Sequence, residues 1–105
     1  MAILVLVTPF AANALTGEWR CEPPRGSTQI LKFIGGKLIF TDYFGDRWVA
    51  KDAVITSKYV FFGSRFLDKQ VVSQFEFYPA KNRLIQNGTT KYGKFRNEFK
   101  CKKMK

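Results

Sequence analysis

Apolar and polar residues alternate along most of this chain from about residue 15 onward, in short runs broken by turn-forming residues. Residues 27–34 and 37–44 flank Gly35-Gly36, and residues 82–86 and 89–101 flank Asn87-Gly88. Both dipeptides accept the positive φ angles of two-residue loops, so a hairpin is predicted at each. Weaker breaks at Pro23-Pro24-Arg25-Gly26, Gly45-Asp46, Thr56-Ser57, Asp68-Lys69 and Pro79-Ala80-Lys81-Asn82 divide the remainder. Between them lie runs rich in Phe, Tyr, Val and Ile, such as 59–62 and 71–78. No stretch sustains a 3.6-residue period, so no long helix is expected. About eight strands with short connections predict an all-β fold, a single antiparallel up-and-down meander closing into a small barrel. Closure would remove the exposed edges of a strongly aromatic sheet.

The strand period also assigns faces. A two-residue turn at Gly35-Gly36 pairs Phe33 with Leu38 and Leu31 with Phe40 on one face, the predicted core side. Ile34 with Lys37, and Lys32 with Ile39, fall on the other. In the last run Phe95, Phe99 and Cys101 share one face, while Lys94, Arg96, Glu98, Lys100 and Lys102 share the opposite one. Tyr92 and Phe95 would then point to opposite faces, and a bulge at Gly93 is expected to reconcile them.

Residues 1–14 follow a different rule. They carry no charge, residues 3–7 are continuously apolar, and the stretch ends in Ala12-Asn13-Ala14. This is the apolar core and small-residue cleavage site of a secretory signal peptide, leaving 15–105 as one mature β-barrel domain. No Lys or Arg follows Met1, so the basic leading region of such signals is absent. The stretch is too short to span a bilayer, which takes about 20 apolar residues. Export, periplasmic or secreted, makes Cys21 and Cys101 most simply one disulfide. Closing a loop of about 80 residues removes denatured-state entropy equivalent to about 4–5 kcal/mol.

Gly17-Glu18-Trp19, on the first predicted strand, resembles the Gly-x-Trp motif of lipocalins and the wider calycins, which include avidin-like barrels. Leu15 and Thr16 before it strengthen the likeness to the avidin-type opening. The resemblance implies a barrel whose closed end is plugged by Trp19. It also implies a basic side chain from late in the chain, Arg96 or Lys100, packed over the indole, a contact of about 0.5–2 kcal/mol. Residues 15–105 are few for a lipocalin, and Trp48 does not recreate the tryptophan set of an avidin pocket, so biotin is not implied. Small bacterial proteins of this architecture include inhibitors of secreted proteases. The segment before Gly17 is short for an inhibitory arm.

Composition narrows the chemistry. The chain has 105 residues, Lys+Arg 18 against Asp+Glu 8, a net charge of +10 and no histidine. Imidazole catalysis and histidine metal sites are therefore excluded. Residues 81–105 hold nine basic residues against Glu98 alone, whereas 15–80 are nearly balanced. Lys91, Lys94, Arg96, Lys100 and Lys102 form a predicted basic patch. It is suited to anionic lipid, to an acidic polysaccharide, or to serving as a solvated face. The interleaving in Lys91-Tyr92-Gly93-Lys94-Phe95-Arg96 also suits single-stranded nucleic acid, but export and the strand count argue against it.

The eight carboxylates are scattered, and no phosphate loop or nucleophile elbow is present, so neither an enzyme nor a metal or cofactor is expected. Binding is the predicted role. A carrier or sensor would hold a small apolar or amphipathic ligand against Phe40, Tyr43, Phe44, Trp48, Tyr59, Phe61, Phe75 and Phe77. A protein-binding module, such as an inhibitor of an exported hydrolase, would use an open-end loop and the basic patch. An apolar cavity favours the first reading and a filled barrel the second.

Overall fold

The computed structural model describes residues 15–63 and 71–104; the predicted signal peptide and the break at Asp68-Lys69 lie outside them. Nine strands follow in order: β1 (Gly17–Glu22), β2 (Gln29–Ile34), β3 (Lys37–Thr41), β4 (Arg47–Val49), β5 (Val54–Ile55), β6 (Val60–Gly63), β7 (Val71–Tyr78), β8 (Arg83–Thr90) and β9 (Gly93–Met104). Among the described residues the only helical turn is a 3-10 turn at Pro79–Lys81.

The predicted β2–β3 hairpin forms with the expected register, Phe33 opposite Leu38 and Leu31 opposite Phe40, all four buried. Its turn residues Gly35 and Gly36 have φ of 59° and 78°, as a twist-matched two-residue loop requires. The Pro79-Ala80-Lys81-Asn82 break also forms, closed by Asn82 in the left-handed region at φ 51°.

Three expectations are corrected. Asn87-Gly88 is not a turn: β8 runs straight through it, and the hairpin closes at Lys91-Tyr92, with Thr90 opposite Gly93. The cause is cross-strand packing. Gly88 lies opposite Phe95, and a Cβ there would come within 2.2 Å of the ring. An Asn-Gly pair that reads locally as a turn is thus a slot for an aromatic ring. No bulge forms at Gly93, since the register offset is constant from Thr90–Gly93 to Arg83–Lys100. Tyr92 stands in the turn itself, 87% exposed, so it has no sheet face to reconcile. The run 47–55 is divided into β4, paired with β3, and β5, paired with β6.

The strands make one antiparallel sheet in the order β4-β3-β2-β1-β9-β8-β7-β6-β5. In a flat sheet β3 and β6, six places apart, would be separated by about 29 Å at the usual strand spacing. Instead the rings of Phe40 on β3 and Phe62 on β6 lie 5.0 Å apart. The sheet is curled into a half-barrel with its core on the concave face. There Phe40, Phe62 and Phe75 pack mutually, with Phe62 and Phe75 stacked at 4.8 Å, and Leu31, Leu38, Leu84 and Phe99 fill the space around them. The ladder is continuous between β4 and β5 the long way round, and among the described residues the two do not pair directly.

The first and last strands are neighbours, and Cys21 faces Cys101 across them in a disulfide. Such a bond belongs to an oxidising, extracellular-type environment.

Candidate ligand-binding mouth

Alternation sends Trp19, Cys21, Gln29, Leu31, Phe33, Phe95, Asn97 and Phe99 to the concave face, and the strand directions order them along it. At one end Trp19 is buried, edge-on to Phe33 at 5.7 Å and to Phe77 at 5.3 Å. Its indole N–H donates to Asn82 Oδ1 at 3.3 Å, which joins it to the β7–β8 turn. The basic side chain over the ring is Lys103, whose Nζ lies 5.0 Å from the ring. The expectation of Arg96 or Lys100 is therefore corrected. Register explains the difference: Trp19 is directly opposite Lys103, whereas Arg96 and Lys100 fall on the other face. Gly17 completes the arrangement, because a Cβ there would sit 3.0 Å from Lys103 Cε.

The opposite end is open. The β1–β2 loop carries Pro23, Pro24 and Arg25; the β3–β4 loop carries Tyr43 and Phe44; the two touch where the Tyr43 ring packs on Gly26. Asp42 organises the second loop. Its Oδ1 accepts from the N–H of Phe44 at 2.9 Å and of Asp46 at 3.0 Å, and its Oδ2 from the Trp48 indole at 3.1 Å. With the carboxylate holding the turn, Phe44 projects 83% exposed and Tyr43 50% exposed, 5.4 Å apart and edge-on.

Between these loops and the concave face of β8–β9 lies a cavity of about 450 Å³. The two loops form one wall, Phe95 and Phe99 another, and the amides of Gln29, Gln86 and Asn97 the rest. Arg25 is the one charged residue among the described residues lining it. Gln86 donates to Ser73 Oγ at 2.9 Å. Gln29 is only 2% exposed, and its Oε1 is buried with no hydrogen-bond partner among the described residues.

The structure separates the eight aromatic candidates for a ligand lining. Phe40, Phe75 and Phe77 are fully packed core, and Trp48 lies edge-on to Phe40 at 5.5 Å. Phe61 pairs with Glu76 on the convex face, and Tyr59 packs on Tyr78 at 5.4 Å. Only Tyr43 and Phe44 border the mouth. Sequence reasoning missed Gln29, Gln86 and Asn97. Their signal was available: each is polar at an inward position of an otherwise apolar strand face.

The convex face of β8, β9 and β1 collects charge. Lys94, Arg96, Lys100 and Lys102 of the predicted patch share it, while Lys91 stands in the β8–β9 turn, 5.1 Å from the Tyr92 ring. Arg83 is directly opposite Lys100, and Arg20 directly opposite Lys102. Like charges so placed repel. Glu98 relieves part of this, 3.7 Å from Arg83 and 3.9 Å from Arg96. Nearby, the Tyr78 hydroxyl is held above its usual pKa by loss of hydration and by the Glu76 carboxylate.

Comparison with protein-family models, with curated proteins and with solved structures gives no match.

Proposed function

We propose that this chain is an exported, lipocalin-like binding protein that takes a small amphipathic molecule into the mouth of its half-barrel. The observation that carries this reading is the cavity of about 450 Å³ between the aromatic loops and the β8–β9 face. Its size lies within the range of small-molecule sites, about 300–1,000 Å³. The core beneath is filled by its own rings, so the ligand sits at the mouth and not deep in the barrel. The disulfide and the signal-like residues 1–14 support export to the periplasm or beyond. The buried Trp19 beside Gly17, covered by Lys103, supports the lipocalin-like reading.

The test is titration with 1-anilinonaphthalene-8-sulfonate, whose fluorescence rises in apolar surroundings. Saturable binding is expected, weakened about tenfold or more in Phe95→Ala and Tyr43→Ala, with the circular dichroism of each variant unchanged. Dye binding that ignores both substitutions would sink the mouth as the site.

A second role is favoured by the convex face, where the pairs Arg20–Lys102 and Arg83–Lys100 leave repulsion that an anionic lipid or polysaccharide surface would relieve. Retention on phosphatidylglycerol vesicles is expected at low salt. It should fall at physiological salt and in the double variant Arg20→Ser/Lys102→Ser. Retention insensitive to both changes counts against this role.

A further inference from the structure

The mouth has features of a site for a more specific molecule than any apolar filler. Gln29 opens β2 at an inward position, in step with Leu31 and Phe33, on a face otherwise built from hydrocarbon. A leucine there would continue the core. Instead the side chain is a buried amide whose Oε1 meets no donor among the described residues. Leaving an acceptor unsatisfied and dehydrated costs about 1–3 kcal/mol, more than an ordinary hydrogen bond returns. A stable fold does not need this arrangement. An entering N–H or O–H would complete it, after a turn of the amide about its soft terminal torsion.

The rest of the cavity restricts what carries that donor. Pro23 and Pro24 on one side and Phe95 and Phe99 on the other are flat and apolar, matched to an aromatic ring. Arg25 is the one charged lining residue among those described, and it is exposed at the rim, in a chain of net charge +10. Among the described residues a cation would meet no carboxylate in the lining, whereas a carboxylate would meet a guanidinium able to hold it through two hydrogen bonds.

We propose that the mouth selects a small aromatic acid whose ring bears an N–H or O–H donor, the donor reaching Gln29 and the carboxylate reaching Arg25. This rests on the mouth being the binding site and names the chemistry it reads. Gln29 is then a specificity residue kept at a cost in stability.

Three probes separate the parts: indole-3-acetate has donor and carboxylate, 1-methylindole-3-acetate lacks the donor, and 3-methylindole lacks the carboxylate. By calorimetry on the intact chain, indole-3-acetate should bind about tenfold more tightly than either of the others, the loss expected for one missing hydrogen-bonded contact. In Gln29→Met the preference over the methylated probe should vanish while the thermal midpoint rises. In Arg25→Met the preference over 3-methylindole should vanish. Equal binding of indole-3-acetate and its methylated form to the unaltered chain overturns the donor role. So does a preference that survives Gln29→Met. If none of the three binds while the naphthalene dye still responds to Phe95→Ala, the mouth stands as a site and this ligand class is wrong. If the dye also ignores the mouth, the site itself is wrong.

Discussion

A glycine in mid-strand ordinarily destabilises a sheet by about 0.5–1 kcal/mol relative to alanine. At position 88 the balance reverses, because the Phe95 ring occupies the space a Cβ would need. Gly88→Ala is expected to lower stability by about 1–3 kcal/mol, as overpacking does, seen as a lower urea midpoint. In a Phe95→Ala background the same substitution should be neutral or mildly stabilising. A penalty that persists without the ring would refute the packing explanation. The same residue shows where local sequence signals fail. Asn87-Gly88 and Gly35-Gly36 carry equally strong turn signals, yet only the second forms a turn. What distinguishes them is a partner seven positions further along the chain, which a dipeptide pattern does not contain. Gln29 was legible in a weaker sense: its phase marks it as inward, but nothing in the sequence says whether an inward amide finds a partner.

Elements with clean alternation were the most legible. The β2–β3 hairpin has the register its turn dictates, and β9 places Phe95, Phe99 and Cys101 on the face opposite Lys94, Arg96, Lys100 and Lys102. The pairing of β1 with β9 accords with the expected meander and the predicted Cys21–Cys101 bond taken together. Because the disulfide spans 80 residues, replacing both cysteines by serine should cost about 4–5 kcal/mol. Against a total of about 5–15 kcal/mol for a domain of this kind, that is enough to leave much of the protein unfolded at 37 °C. Urea denaturation of Cys21→Ser/Cys101→Ser tests it; an unchanged midpoint would mean the β1–β9 ladder suffices. The division of residues 47–55 was not legible. It depends on Ala50, whose N–H extends the β3 ladder to Leu38 O at 2.9 Å before a tight turn, in which Ala53 N–H donates to Ala50 O at 3.2 Å.

That division governs the whole molecule. Strict antiparallel alternation over nine strands makes the two outermost, β4 and β5, run in the same direction. A parallel pair needs a crossover of about a dozen residues, and only residues 50–53 lie between them. They therefore do not pair as parallel neighbours and stand as the two ends of the ladder, the first held by β3 and the second by β6. The alternation predicts about eight strands; among the described residues the sheet has nine, the extra one arising where the run 47–55 divides into β4 and β5. The candidate site was less legible than the fold, since the mouth is assembled from two loops and three strands distant in sequence. Candidate aromatics chosen by type alone fell on both faces of the sheet. The bond between Cys21 and Cys101 has one more consequence. Every described loop of the protein lies on a single covalent ring closed by that bond. A protease that cuts one peptide bond in the exposed Lys91-Tyr92 turn opens the ring without releasing a fragment. The nicked protein keeps both pieces in place, gains one water in mass, and separates into two chains only once that disulfide is reduced.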